Sequence, residues 1–153
     1  MTMLTKLEYV GVPTADLLDI YILYVRSLLE YCSVVWHSTL TGEQDQNIER
    51  VQKLCLKVIL GNNYQGYDSA LEHLDLQTLS ERREERCLKF GLKSLLHPTH
   101  SKMFPVNPQI LETPHDTRSP EHFTVNWARS DSYRTSAIPY IQRMLNNYVN
   151  SQS

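Results

Sequence analysis

The chain has 153 residues, a net charge of −2, 41% hydrophobic residues and 21% charged ones, an ordinary make-up for a soluble globular protein. That length buries roughly 70% of its unfolded surface, enough for a real core. The near-neutral charge excludes any global attraction to nucleic acid or an anionic membrane, so such contacts must come from local patches.

Residues 2–10 predict a short helix stopped by Gly11 and Pro13, with Thr14 placed to cap the next one. The run Leu17 to Trp36 carries charge only at Asp19, Arg26 and Glu30, and its apolar residues recur at helical steps. Apolar almost all round, it predicts one central helix buried on several sides, with Val25 and Leu28 in the core. About 20 residues also suffice to span a bilayer, but three charges and a Ser argue against that. Thr41-Gly-Glu-Gln44 fits a capping box, and a helix of about 43–60 follows, with Ile48, Val51, Cys55, Val58 and Ile59 on one face and Gly61 as its C-cap. Asp68 is placed to cap a short helix through Leu74. Thr78-Leu-Ser-Glu81, a second capping box, opens a helix of about 79–96 that Pro98 ends.

Pro98, Pro105, Pro108, Pro114 and Pro120 then interrupt any helical period, and residues around Phe123 and Val125 allow one short strand. Ile138, Ile141, Leu145 and Tyr148 predict a last amphipathic helix that tolerates Pro139 in its first turn. The expected architecture is all-α, a small helical domain over 1–97 around one buried central helix, a proline-rich irregular arm over 98–136 and a C-terminal helix over 137–150. Cys32, Cys55 and Cys87 are odd in number and lie in apolar helical patterns, which predicts buried thiols in a reducing compartment. The opening residues lack the basic and apolar regions of a secretory signal, so an intracellular location, cytoplasmic or nuclear, is expected, with no membrane role.

Motifs for chemistry are sparse. The glycines of Gly61-Asn-Asn-Tyr-Gln-Gly66 have phosphate-loop spacing, but Tyr67 and Asp68 stand where Lys and Ser/Thr are required. His97 with His100, and Cys32 with His37, lack the second pair of ligands that a structural zinc site needs, so no metal site is assigned. No nucleophile elbow occurs, and Asp16, Asp19, Glu81, Glu84 and Glu85 read as helix starts that offset the dipole. No catalytic residue and no cofactor is assigned.

One pattern stands above this background. Arg82, Arg86, Lys89 and Lys93 follow steps of 4, 3 and 4, which places them in a helical sector of about 60°. Arg50, Lys53 and Lys57 do the same on the preceding long helix. Two linear basic stripes suit an RNA or DNA phosphate backbone; the competing reading is two solvated faces interleaved with Glu49, Glu81 and Glu85.

Four segments, taken in order, carry a resemblance. They are Val12-Pro-Thr-Ala-Asp-Leu-Leu18 leading to Leu29-Glu-Tyr-Cys-Ser-Val-Val-Trp-His37; Asn47-Ile-Glu-Arg-Val-Gln-Lys53 with Ile59-Leu-Gly61; Leu76-Gln-Thr-Leu-Ser-Glu-Arg-Arg83; and Tyr133-Arg-Thr-Ser-Ala-Ile-Pro-Tyr-Ile-Gln-Arg-Met-Leu-Asn146. Together they resemble the C-terminal, post-palm region of reverse transcriptases from non-LTR, LINE-type retrotransposons of the jockey-like kind. The resemblance implies thumb-proximal helices that help to hold template and primer. In that family the metal-binding aspartates, which use Mg²⁺, lie upstream in the palm, and this chain has no Tyr/Phe-x-Asp-Asp. No catalytic residue therefore carries over. The expectation is a truncated or decayed fragment of an RNA-directed DNA polymerase from a mobile element, not itself an enzyme, with residual nucleic-acid contact and apolar surface left exposed by the missing palm. The alternative is a helical nucleic-acid- or protein-binding module acting on its own.

Overall fold

A computed structural model describes residues 3–107 and 122–152. The helices are α1 (Met3–Tyr9), α2 (Thr14–Ile20), a π-helical stretch (Tyr21–Arg26), α3 (Ser27–Leu29), α4 (Ser33–Trp36), α5 (Gly42–Leu60), α6 (Tyr67–His73), α7 (Leu79–Leu95), α8 (Asp131–Arg134) and α9 (Ala137–Gln152). Among the described residues the β structure is one antiparallel bridge, Val106 to Phe123, so the expected all-α class holds. The short strand expected near Phe123 reduces to that bridge. Pro108, Pro114 and Pro120 of the proline-rich arm lie outside the described residues.

The chain divides into two compact units, Met1–Ser33 with Leu40–Arg83 and Val34–Thr39 with Glu84–Ser153. The division falls inside α7 rather than at residue 97. Arg83, in the first turns of α7, is fully buried in the first unit and donates to Asp45, whereas Cys87, one turn on, is buried in the second core.

The first unit closes around Leu4, Leu17, Tyr21, Leu56, Ile59, Leu60, Ala70 and Leu71. Its long helix α5 starts as the sequence predicts. Gln44 N–H donates to the Thr41 hydroxyl at 3.2 Å and Thr41 N–H to the Gln44 side chain at 3.0 Å, which satisfies two of the free donors of the helix start. Gly61 ends it at φ 49°, a left-handed conformation that glycine adopts without a Cβ penalty. A thread of polar groups also crosses this core. Tyr21 donates to Gln52, which in turn donates to the Tyr67 hydroxyl at 2.9 Å and the Gln77 carbonyl at 3.0 Å, while Tyr67 donates to Glu49. Burial makes such groups costly unless they are paired, so the thread fixes α5 against Tyr21 on one side and the 67–79 segment on the other. Burial raises the Tyr21 and Tyr67 hydroxyl pKa values far above the ordinary tyrosine range, and for Tyr67 the hydrogen bond to Glu49 adds to the rise.

The expected central helix over 17–36 is corrected by the structure. The run passes through a π-helical stretch, which winds less per residue than an α-helix, and then breaks at Glu30–Cys32, where Cys32 takes φ 51°. The sequence period continues while the backbone face slips, so Tyr21 is buried, Val25 half-buried and Leu28 exposed. Cys32 is exposed rather than buried, Cys55 is half-buried with its thiol pKa raised by burial, and Cys87 is buried as expected. Two caps differ as well. Thr14 is the first residue of α2 behind Pro13 and makes no cap bond, and α6 starts behind Gly66, with Asp68 inside its first turn.

The second unit packs Cys87, Phe104, Phe123, Ile141 and Leu145 together. Gly91 lets α7 and α9 approach closely: a Cβ there would sit 2.7 Å from Ile141 Cγ2 and 3.3 Å from both Leu145 methyls. Buried amides on α9 hold the irregular chain in place of a sheet. Asn146 accepts from Phe123 N–H at 2.7 Å and donates back to the Phe123 carbonyl at 2.9 Å. Gln142 accepts from Asn126 N–H at 3.0 Å and donates to the Met103 carbonyl at 2.8 Å. These bonds supply the partners that buried backbone groups require.

Candidate nucleic-acid interface

Helix α5 presents Arg50, Lys53 and Lys57 to solvent, while Gln52, Leu56, Ile59 and Leu60 face the first core. The seven steps from Arg50 to Lys57 span about 10 Å at 1.5 Å per residue. Glu49, the acid that would dilute this stripe, is turned inward. One of its oxygens accepts from Tyr67 and, at 3.2 Å, from Leu79 N–H, and the other is buried. The stripe is therefore more cationic than its sequence reads. Lys53 Nζ lies 4.7 Å above the Tyr67 ring, a cation–π contact that orients the ammonium and leaves it exposed.

The stripe on α7 is less uniform. Arg82, in the first unit, is only 24% exposed, and its guanidinium engages both oxygens of Glu30. That pairing gives Arg82 a structural task and takes it out of the open row. Arg86, Lys89 and Lys93, in the second unit, are exposed. Lys89 pairs with Glu85 one turn earlier at 2.6 Å, a surface ion pair of small worth. The neighbouring Arg83 of the same segment is fully buried and contributes no surface charge. Of the seven basic residues, the structure thus gathers Arg50, Lys53 and Lys57 on one open face and sets Arg82 apart.

Other chemistry is thin. Among the described residues no three His, Cys, Asp or Glu side chains are placed to hold a metal ion. His97 and His100 stack their rings 4.2 Å apart, and His97 Nδ1 accepts from the Thr99 and His100 N–H groups. A shallow groove of about 540 Å³ on the second unit is lined by Leu88, Met144, Tyr140, Tyr148, Arg143 and Glu84, among others. Burial raises the Tyr140 hydroxyl pKa, and that hydroxyl lies 3.4 Å from His37 Nε2. Among the described residues no helix is long and apolar enough to cross a membrane.

No protein-family model, curated protein or solved structure matches the chain.

The inward turns of Glu30 and Glu49, and the seat of Lys53 over Tyr67, were not readable from the sequence. Their partners stand 52, 18 and 14 residues away across breaks in the helices. The only signal in the sequence was that Glu30 stands in a largely apolar run.

Proposed function

We propose that the chain is the post-palm helical region of a non-LTR retrotransposon reverse transcriptase, a fragment without catalytic residues that keeps a weak contact with the nucleic-acid backbone. The resemblance of four ordered segments carries the reading. Its support at the surface is the row Arg50, Lys53 and Lys57, which lies within and just beyond the resembling segment Asn47–Lys53 and which Glu49 leaves undiluted. Three aligned cations, with Arg86, Lys89 and Lys93 on α7, offer point charges to phosphates and no set of groups for reading bases. The contact is therefore sequence-independent and salt-sensitive. The carboxylates that would hold two metal ions belong, in this reading, to the palm upstream.

An autonomous binding module is the second reading, and it draws support from the two separately closed cores. Incubation with a labelled RNA template and annealed primer, deoxynucleotides and Mg²⁺ or Mn²⁺ tests the proposal. The expected result is retardation of the template–primer without extension. Extension above that of a mock preparation would overturn the claim that the chain is non-catalytic, and absence of any complex at low salt would overturn the claim of contact.

A further inference from the structure

A cavity of about 280 Å³ opens on the first unit where α5 ends and α6 begins. Buried Leu60 and Ala70 give it an apolar floor, and exposed Asn63, Gln65, Ser69 and His73 form its rim. None of these four rim side chains is hydrogen-bonded to another described residue, although each has both a donor and an acceptor to offer. The lining holds no Asp, Glu, Lys or Arg, so a charged ligand would find no counter-ion in it. Its volume falls just under the roughly 300–1,000 Å³ of pockets for drug-sized ligands, which suits one small ring system. The cavity also lies at the end of the basic row on α5. Leu60 stands about two turns beyond Lys53 on nearly the same line of the helix, and about 5 Å of rise beyond Lys57. Lys53 in turn lies over Tyr67, the first residue of α6, the helix that supplies Ser69, Ala70 and His73. A strand whose phosphates follow the row is thereby carried to the cavity.

We infer that the cavity takes one nucleobase, unstacked from a single strand whose phosphates the α5 row holds. The inference rests on the backbone contact proposed above. A base is planar and uncharged, with an apolar face for Leu60 and Ala70 and an edge of donors and acceptors for the rim. Single strands are recognised in this way, through splayed bases hydrogen-bonded along their edges. Exposed Asn63 and Gln65 can turn either the carbonyl or the amino group inward, so the edge of any base finds a match. The cavity therefore responds to the presence of a base rather than to its identity, in keeping with a contact indifferent to sequence.

Titration of the full chain with a single-stranded RNA oligomer and with its abasic counterpart of equal length and charge tests this. At about 50 mM salt the RNA should bind about tenfold tighter, the size of one satisfied base contact. Both oligomers should show the same salt slope, because phosphates alone set it. Ser69→Leu fills the cavity, and Asn63→Ala with Gln65→Ala strips its rim. Each should bring the RNA down to the abasic affinity without moving the slope. Free adenosine at about 1 mM should leave the RNA bound, since it gains nothing from the row. Displacement of the RNA by adenosine would make a free nucleoside the ligand and overturn the inference. Equal binding of the two oligomers would overturn it while leaving the backbone contact standing, and binding of neither would overturn both. A base advantage that survives both variants would overturn it too. If a variant lost helix content, the comparison of the two oligomers on the unaltered chain would decide alone.

Discussion

Glu30, 2% exposed, meets the guanidinium of Arg82 through both carboxylate oxygens, across 52 residues of sequence. The pair ties the break after α3 to the first turns of α7 within the first unit. A buried carboxylate stranded without its cation costs far more than the intact pair contributes. Arg82→Ala should therefore lower stability by about 3 kcal/mol. Glu30→Gln combined with Arg82→Ala should cost less than Arg82→Ala alone, because no charge is left buried. Urea titrations of the two variants measure the difference, and equal losses would contradict the account.

Leu56 is fully buried in the first core and Leu28 is 77% exposed. Leu56→Ala should cost about 2–5 kcal/mol, as large-to-small changes in cores do. Leu28→Ala should stay within about 0.5 kcal/mol, as surface changes do. Chemical denaturation midpoints for the two variants check this contrast.

That contrast shows where the sequence stopped being readable. Local chemistry was legible: both capping boxes form at Thr41 and Thr78, Gly61 ends α5, and Pro139 is accepted in the first turn of α9. These features depend on neighbours within four residues. The period of Leu17 to Trp36 was equally clear, yet the π-helical turn and the break at Cys32 leave Leu23, Tyr24, Leu28, Tyr31 and Val35 outside, and nothing within the run signals that slip. Burial of Gln52, Gln142 and Asn146 was hidden for a related reason. Polar residues are expected outside unless their distant partners are known, and here the partners are Tyr21, Asn126 and Phe123. The basic rows were visible from their spacing, but the removal of Arg82 and Glu49 from the surface was not, because it depends on Glu30 and Tyr67.

Gly91 carries the close approach of α7 and α9. Gly91→Ala gains about 1 kcal/mol of helix propensity. Its Cβ, 2.7 Å from Ile141 Cγ2, should cost about 1–3 kcal/mol in overpacking and leave the variant less stable or unchanged. Gly91→Val should be worse. Ile141→Ala, costly by itself, should recover part of the Gly91→Val loss, and a double-mutant cycle by thermal unfolding measures that coupling.

Three of the nine tyrosines, Tyr21, Tyr67 and Tyr140, have hydroxyl pKa values raised by burial. In the unfolded chain each titrates near 10. The fold favours the neutral phenol, so its contribution is full below about pH 10 and is lost progressively as pH rises above that value. Phenolate absorbance in the native protein should show these three tyrosines ionising only above about pH 10 or on unfolding. Tyr140→Phe should remove one late-titrating group.

The central claim is a backbone contact made by the open basic row on α5, and its salt dependence tests that claim most directly. Titration of labelled single-stranded RNA at about 50 and about 200 mM salt should give a log K against log salt slope between about −2 and −4, from three to six phosphates neutralised. Arg50→Glu with Lys57→Glu should weaken binding and flatten the slope by about 1.4, the share of two contacts, with helix content unchanged. Arg86→Glu with Lys89→Glu should have a smaller effect, because Lys89 is already paired with Glu85. No binding at about 50 mM salt, or binding whose slope neither double substitution moves, would contradict the account.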